Sequence, residues 1–294
     1  MLDAETAAEL RWYFATLSFI FGTLVGSFLN VCIYRVPAQR SIVKPGSHCY
    51  HCGSPVRWHD NIPILSYLLL GRRCRFCGIR ISPRYALVEA LTGFLYVYIA
   101  FRLTSDPPID FARLGICAAV ATALVAASFI DIEFRIIPDE ISVPGTWLAP
   151  LVSLIWPDPG AIHDPLIVGP LTSLLGIPPL THPHVAGLLA SFLGMLAGAG
   201  VIWALGVVGR AIFQKEAMGF GDVKLMAFVG GILGWDMALL TIVLGAVFGA
   251  IVGLLSLLRS RDTRIPFGPY LSLGALVAML HGKDLGSLLD LFIM

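Results

Sequence analysis

The feature that most constrains this chain is a series of long apolar runs separated by short polar or glycine-rich segments. A run of about 20 apolar residues is long enough to cross a bilayer as a helix. Only 13% of the residues are charged, compared with roughly 25% in soluble domains. The runs predict an all-α, polytopic membrane protein with about eight transmembrane helices. We place these helices at residues 14–34, 85–102, 113–131, 139–156, 184–208, 218–235, 237–257 and 266–282.

The distribution of lysine and arginine predicts the orientation. When eight helices alternate in direction, most of the 20 basic residues face one side, with the densest group in 35–84 and none in 157–183. The positive-inside rule therefore places 35–84 in the cytoplasm and both termini outside. The run 164–178 is short and broken by proline and glycine, so we do not count it as a ninth span. The net charge of +1 gives no indication of a nucleic-acid partner.

The N-terminal segment shows no cleavable signal peptide, because acidic rather than basic residues precede the first apolar run and the run is long enough to stay in the membrane. We divide the chain into a first transmembrane helix (1–34), a small cytoplasmic loop domain (35–84) and a membrane domain (85–294).

Four cysteines in the cytoplasmic loop form two pairs, Cys49-Tyr-His-Cys52 and Cys74-Arg-Phe-Cys77, with the spacing CxxC-x21-CxxC. Two such pairs provide four thiolates to one tetrahedral ion. Since the loop faces a reducing cytoplasm, where disulfides rarely persist, we predict a structural zinc site. The alternatives are two disulfides or thiols that bind nothing. Each pair is followed by glycine, which favours a tight turn around the metal.

The segment Met218-Gly-Phe-Gly-Asp222-Val-Lys224 places a carboxylate beside membrane helices. An ionisable residue there is costly and is a functional-site candidate. A second carboxylate, Asp131, ends another apolar helix, and the alternation of helix directions puts both on the cytoplasmic side. Two carboxylates that share a proton are what aspartic proteolysis requires: one activates water and the other polarises the scissile carbonyl. Asp131 and Asp222 are therefore our predicted catalytic pair.

Both aspartates also have structural interpretations. Asp222 lies where an N-cap belongs, although Gly219 and Gly221 favour a site because they permit positive φ and a close backbone approach. Asp131 could instead form an i, i+4 ion pair with Arg135.

Three further polar residues remain open. Asp139 precedes a helix in an N-cap position. Glu89, one turn inside the second helix, either pairs with an arginine such as Arg84 or lines a site. Asn30 follows Gly22 and Gly26 on one face of the first helix. This spacing indicates close helix packing with one interhelical hydrogen bond, and the alternative is a direct role in a site, since a polar residue inside a span is a site candidate.

Together these segments resemble the type IV prepilin peptidases, bacterial membrane aspartic proteases of the Gly-x-Gly-Asp type. The resemblance runs through nearly the whole chain and departs from the usual pattern at Ala86, where proline is common. The matching segments are Gly26-Ser-Phe-Leu-Asn30-Val, Tyr34-Arg-Val-Pro37, the four loop cysteines, Asp60-Asn-Ile-Pro63, Ile81-Ser-Pro-Arg-Tyr85, Val88-Glu89, Asp131 to Asp139, Gly219 to Leu225 and Ile265-Pro-Phe-Gly-Pro-Tyr270.

The resemblance implies a multi-pass enzyme of the bacterial inner membrane, with Asp131 and Asp222 as the catalytic pair. It also implies cleavage after a glycine that ends the basic leader of type IV prepilins and type II secretion pseudopilins, at the cytoplasmic face. Methylation of the new N-terminus with S-adenosylmethionine would follow. We expect five residues to support the site: Gly219, Gly221, Lys224, Asp139 and Glu89. A peptidase without methylation, another Gly-x-Gly-Asp intramembrane protease, and a non-enzymatic transporter or scaffold are the alternatives.

Overall fold

The computed structural model describes residues 4–104, 110–155, 183–214, 218–259 and 266–293. Within these ranges the regular structure is helical, apart from two isolated β-bridges in the cysteine loop. The predicted all-α class is confirmed, and each of the eight predicted runs is a helix. The helices are α1 (Ala4–Arg35), a 3-10 turn (Trp58–Asn61), α2 (Leu65–Leu69), α3 (Arg84–Leu103), α4 (Phe111–Phe134), α5 (Asp139–Ile155), α6 (Pro183–Phe213), α7 (Phe220–Leu233), α8 (Trp235–Arg259) and α9 (Gly268–Ile293).

Five helices in the described part of the chain are long and apolar enough to cross a membrane, so the chain is an integral membrane protein. The candidate spans are Arg11–Arg35, Arg84–Leu103, Phe111–Phe134, His184–Ile212 and Trp235–Ser256. Two other helices are shorter: α5 has 17 residues and α7 has 14. Eight membrane crossings stay a prediction, and the exclusion of 164–178 as a span lies outside the described residues.

The chain divides into two compact units, Met1–Ala126 and Ala127–Met294, and the boundary falls within the sequence of α4. The first unit contains α1, the cysteine loop, α3 and the first part of α4. The second contains the end of α4 and all of the later helices. The domain boundaries that we place after residues 34 and 84 stay predictions.

In the first unit, α1 and α3 pack in an antiparallel pair through small residues. A Cβ atom added at Gly26 would lie 2.7 Å from Glu89 Cα, and Gly22, one turn earlier, is equally crowded by the backbone of α3. One turn later, Asn30 Nδ2 donates to the Tyr85 carbonyl at 3.0 Å. This confirms the predicted packing face with one interhelical hydrogen bond.

In the second unit, α7 is enclosed by its neighbours. A Cβ atom at Gly194 of α6 would overlap the Gly230 carbonyl of α7. Ser191 Oγ, also on α6, donates to the Gly231 carbonyl at 2.8 Å. On another side, Gly145 of α5 contacts the Phe228 ring. Such close packing leaves little freedom for α7, and it fixes the position of the segment at its N-terminal end.

Candidate active site and metal centre

Asp131 lies in the last turn of α4 and is 6% exposed. Its Oδ2 accepts a hydrogen bond from the backbone N–H of Gly268, at the start of α9, over 3.0 Å. The prediction that the helix ends at Asp131 is wrong, because α4 continues to Phe134. The chain turns at Arg135, which has φ 58° and donates its N–H to the Asp131 carbonyl. This left-handed residue closes the helix after the carboxylate has been placed.

Asp222 is the third residue of α7 and is 8% exposed. It is not itself the N-cap: that residue is Gly219, whose N–H donates to Asp222 Oδ2 at 3.2 Å. The Asp222 N–H in turn donates to the Gly219 carbonyl at 3.1 Å. The carboxylate therefore lies at the positive end of the helix dipole, which favours its anionic form.

The two glycines before Asp222 act differently from our expectation. The positive φ predicted for them is wrong, since Gly219 has φ −78° and Gly221 lies within α7 without a positive φ. The predicted close approach is confirmed at Gly221, where an added Cβ would lie 3.0 Å from Ile137 Cβ. At Gly219 the nearest atom would be Asp222 Oδ2 at 3.6 Å, an ordinary contact.

Ile137 connects the surroundings of the two aspartates. A Cβ at Gly268 would lie 2.6 Å from Asp131 Oδ2 and 3.1 Å from Ile137 Cδ1. Ile137 is thus packed between Gly221, next to Asp222, and Gly268, which binds Asp131. The two carboxylates are close enough to repel each other electrostatically. The structure therefore brings the two predicted aspartates into one site.

Asp139 and Lys224 form an ion pair beside this site. Lys224 Nζ donates to both carboxylate oxygens of Asp139, at 2.6 and 2.8 Å, and also lies 5.1 Å from the centre of the Phe220 ring. Asp139 is the first residue of α5 and not the residue before the helix, so the N-cap position predicted for it is wrong. The ion pair links the start of α5 to the first turns of α7, and a supporting role for Asp139 and Lys224 stays a prediction.

Neither Ile137 nor Gly268 was among the predicted site residues. Ile137 is an apolar residue in a connecting segment, and no pattern in the sequence marks it. Gly268 lies in the segment Ile265 to Tyr270 that carries part of the family resemblance. That segment could therefore have indicated that Gly268 belongs to the site, although the resemblance did not reveal which carboxylate Gly268 binds.

The cysteine loop folds into two similar knuckles. In the first, Gly53 N–H donates to the Cys49 carbonyl at 2.8 Å, and in the second Gly78 N–H donates to the Cys74 carbonyl at 3.0 Å. Both glycines have φ 70°, a left-handed conformation that favours glycine. The tight turns predicted from the glycine after each CxxC are confirmed.

The two knuckles place all four thiols together. The Sγ atoms of Cys49, Cys52, Cys74 and Cys77 lie within 4.8 Å of one another, and all six cysteines of the chain are free thiols. The Cys49 and Cys77 sulfurs are 3.9 Å apart, close to the separation of about 3.8 Å between ligands of a tetrahedral zinc with bonds of about 2.3 Å. The cluster therefore has the donor set and dimensions of a closed four-cysteine metal site.

Local hydrogen bonds favour the thiolate form at two of these positions. Hydrogen bonds from the side chain and then the backbone of Ser54 lower the pKa of the Cys52 thiol to about 6. The backbone N–H groups of Cys77 and Phe76 lower the pKa of the Cys74 thiol. Because the thiolate is the form that binds metal, these hydrogen bonds favour ligation at Cys52 and Cys74.

A bidentate ion pair supports the second knuckle. Arg75 Nε and one guanidinium nitrogen donate to the Asp60 carboxylate at 2.7 and 2.6 Å. These hydrogen bonds from Arg75 hold the pKa of Asp60 below its usual value. The fork geometry ties the 3-10 turn to the loop between Cys74 and Cys77. Asp60 belongs to a segment of the resemblance, but its partner was not predicted.

A cavity of about 330 Å³ lies within the first unit. Its wall combines the cysteine loop with the facing ends of α1 and α3, including Asn30, Tyr50, Phe76 and Glu89. Glu89 is 8% exposed and accepts a hydrogen bond from the Ile64 N–H at 2.7 Å. Of the two interpretations of Glu89, the structure favours a position in the wall of a site.

A helical membrane protein with two neighbouring buried aspartates at helix ends has the construction of a membrane aspartic peptidase. Comparison with known families agrees. Residues 118–254 match the model of the Type IV leader peptidase family, and residues 20–103 match the Bacterial Peptidase A24 N-terminal domain. The chain belongs to the Type IV leader peptidase family, and the predicted family and enzyme class are confirmed.

Several curated relatives carry the name prepilin leader peptidase/N-methyltransferase. The relative from Aeromonas hydrophila is 33% identical over 96% of this chain and 95% of its own length. The relative from Pseudomonas putida is 33% identical over 93% of this chain and 92% of its own length. That from Myxococcus xanthus is 36% identical over 84% of this chain and 64% of its own length. No solved structure matches the chain.

Proposed function

We propose that this protein removes the basic leader from type IV prepilins and type II secretion pseudopilins and then methylates the new N-terminal residue. The cut follows a glycine at the cytoplasmic face of the bacterial inner membrane. The observation that carries the proposal is the pairing of two buried carboxylates, each bound to a glycine N–H, in a chain that belongs to a leader peptidase family.

Asp131 and Asp222 act as the catalytic pair. In the productive state one proton is shared between them: the ionised member accepts a proton from water, and the protonated member donates a hydrogen bond to the scissile carbonyl. The position of Asp222 at the N-terminal end of α7 suits the ionised member. Burial of both residues excludes bulk water, which strengthens both interactions. Ile137, Gly268 and the Asp139–Lys224 pair hold the two carboxylates in position.

The orientation supports cleavage on the cytoplasmic side. The basic loop 35–84 and the segments that follow Asp131 and precede Asp222 lie on one side when the helices alternate, and the positive-inside rule assigns that side to the cytoplasm. A prepilin substrate presents its cleavage site where a basic leader meets an apolar helix. This junction is at the membrane surface, at the depth where the ends of α4 and α7 carry the aspartates.

Methyl transfer belongs to the cavity of the first unit. S-adenosylmethionine supplies a methyl group on a positively charged sulfur. The cavity suits this group because aromatic rings from Tyr50, Tyr67 and Phe76 form part of its wall and can stack on a purine. It also contains a buried acceptor without a partner, Asn30 Oδ1. The names of the relatives provide independent support for a methyltransferase activity.

The metal that suits the four-cysteine cluster is zinc. All four ligands are sulfur, the set that selects zinc in a reducing compartment. A closed site with four protein ligands has no open position for water or substrate, so the ion is structural. It fixes the two knuckles and, through them, the part of the cavity wall that the loop forms.

The decisive experiment measures cleavage of a type IV prepilin in membranes, with mass spectrometry of the new N-terminus. Wild type should cut after the glycine and add one methyl group, whereas Asp131→Asn and Asp222→Asn should lose cleavage while accumulating normally. Glu140→Gln removes an exposed carboxylate near the start of α5 and serves as the matched control. Normal cleavage by either aspartate variant would show that its carboxylate is structural. If the wild-type protein cuts without methylating, the alternative of a peptidase without methylation is correct. If the wild-type protein never cuts, the alternative of a non-enzymatic transporter or scaffold is favoured.

A further inference from the structure

Asn30 is among the residues that line the cavity, and its side chain carries a buried acceptor. Asn30 is 3% exposed, and its Nδ2 donates to the Gly26 carbonyl at 3.3 Å and to the Tyr85 carbonyl at 3.0 Å. Since both partners are carbonyl acceptors, the amide nitrogen must face them, and the orientation of the amide is fixed. Asn30 Oδ1 is buried with no hydrogen-bond partner. An unpaired buried acceptor costs about 1–3 kcal/mol, so this one indicates a missing donor.

Glu89 provides a second acceptor in the same wall. Its carboxylate accepts the Ile64 N–H at 2.7 Å, and the Ser27 side chain lies beside it. A carboxylate can accept about four hydrogen bonds, so positions remain for a ligand. Ser27, Asn30 and Glu89 all line the cavity.

The helix register places Asn30 and Glu89 near each other. Gly26 of α1 lies opposite Glu89 of α3, and Asn30 lies opposite Tyr85. Asn30 is therefore displaced from Glu89 by one helical turn along the helix pair, a distance of about 5.4 Å. Two acceptors at this spacing, one neutral and one carboxylate, suit a ligand with several N–H donors and a positive charge. That ligand is a primary ammonium group.

We propose that Asn30 and Glu89 bind the α-ammonium group of the cleaved substrate's new N-terminus, and that Glu89 accepts the proton which this group loses before methylation. The inference rests on the methyl-transfer part of the proposed function and assigns residues to it. An α-ammonium is also present in the amino-acid portion of the methyl donor. We assign the site to the substrate because the Glu89 carboxylate can accept a proton. The substrate's ammonium must lose a proton before it can attack, whereas the ammonium of the methyl donor takes no part in the reaction.

The ammonium transfers one proton to the Glu89 carboxylate, and the freed nitrogen lone pair forms a bond to the methyl carbon of the sulfonium donor. The bond from that carbon to sulfur breaks, and its electron pair stays on sulfur, which becomes a neutral thioether. The product is a methylated ammonium, and Glu89 releases the proton that it accepted to solvent before the next turnover. Asn30 holds the nitrogen in the orientation for attack.

The test uses Glu89→Gln in the full-length protein in nanodiscs. Glutamine retains an oxygen that accepts the Ile64 N–H, so the fold is preserved while the base is lost. Cleavage and methylation are measured separately, the latter with mature pilin that has already been cleaved. The binding of S-adenosylhomocysteine is measured by calorimetry. Glu140→Gln is the matched control for loss of a carboxylate, and Glu89→Asp tests whether a shorter carboxylate restores activity.

We expect Glu89→Gln to methylate already cleaved pilin on the order of 10- to 100-fold more slowly than wild type at pH 6.5. This deficit should shrink as pH rises through about 8, because the free α-amine then loses its proton to solvent. Glu89→Asp should keep the wild-type pH profile at a reduced rate, and affinity for S-adenosylhomocysteine should stay within twofold. The variant and the wild type share the other charged or titratable groups of the wall, which are Arg35, His48, Cys49, Tyr50, His51, Asp60, Tyr67, Cys74, Arg75, Arg80 and Tyr85.

Four results would overturn the inference. Normal methylation by Glu89→Gln would remove the proposed role of Glu89. A deficit that is the same at every pH would make Glu89 a positioning residue only. Weaker binding of S-adenosylhomocysteine would assign the ammonium to the donor. A wild type that cleaves but never methylates would refute the methylation part of the proposed function and this inference with it. Should Glu89→Gln fail to accumulate, a Glu89→Asp variant with an altered pH profile would also contradict the proposal.

Discussion

Gly268→Ala tests whether the position of Asp131, and not its chemical identity alone, limits cleavage. The added methyl group would lie 2.6 Å from Asp131 Oδ2, and an ordinary contact begins at 3.4 Å, so the two must separate by about 0.8 Å. The carboxylate is the movable partner, since it lies at the end of a side chain whereas residue 268 opens a helix. Displacement of a reacting group by about 1 Å can cost on the order of 100-fold in rate.

We therefore expect Gly268→Ala to lower kcat for prepilin cleavage about 10- to 100-fold, which corresponds to about 1.4–2.7 kcal/mol in the activation barrier. The backbone N–H at position 268 is retained in the variant, so a loss of rate reports the displacement of the Asp131 carboxylate and not the loss of this hydrogen-bond donor. Protein yield and thermal stability in detergent should change little. Gly200→Ala is the matched control, because its new Cβ would meet nothing within 4 Å. Wild-type kcat in a normally folded Gly268→Ala protein would refute the argument that the glycine determines where the carboxylate lies.

Three further predictions follow from the contacts around the two sites. Gly221→Ala should slow cleavage more than Gly219→Ala, because only the former would press its Cβ against a neighbouring residue; equal rates, measured on the same prepilin, would argue against close packing at this point. Lys224→Met breaks the ion pair with Asp139, in which the Lys224 side chain is 29% exposed and the Asp139 side chain 62% exposed. We expect thermal denaturation to show less than about 1 kcal/mol of lost stability. Initial rates should show a smaller loss of cleavage than in either catalytic aspartate variant. Elemental analysis should find one zinc per wild-type chain and none in Cys49→Ser. Trypsin should cut the basic loop faster in this variant than in the wild type. A wild-type protein without metal would contradict the zinc assignment.

The sequence was informative wherever one local rule governs the structure. Apolar runs identified eight of the helices in the described part of the chain, because a membrane leaves few other conformations for such segments. The two CxxC pairs and their following glycines predicted the knuckles, since the metal and the turn each require particular residues. The alternation of helix directions placed Asp131 and Asp222 on one side of the membrane, and the structure brings them together.

The sequence was less informative about contacts between distant segments. The conformations of Gly219 and Gly221 were predicted wrongly because glycine permits both positive φ and close packing, and only the neighbour at 137 shows which applies. The end of α4 was placed too early because a carboxylate looked like a terminal residue, whereas the turn occurs at Arg135. The partner of Asp139 lies 85 residues away in sequence, so a local N-cap rule could not identify it.

The packing of Ile137 between Gly221 and Gly268 has a consequence for the evolution and redesign of this enzyme. An apolar residue that undergoes no reaction determines how far apart two reacting groups stand, so changes at these three positions are energetically coupled. Ile137→Val removes the Cδ1 atom that would lie 3.1 Å from a new Cβ at 268, so this substitution combined with Gly268→Ala should be less harmful than the separate effects predict. Variation in cleavage rate can therefore arise through compensating pairs of substitutions that leave both aspartates unchanged.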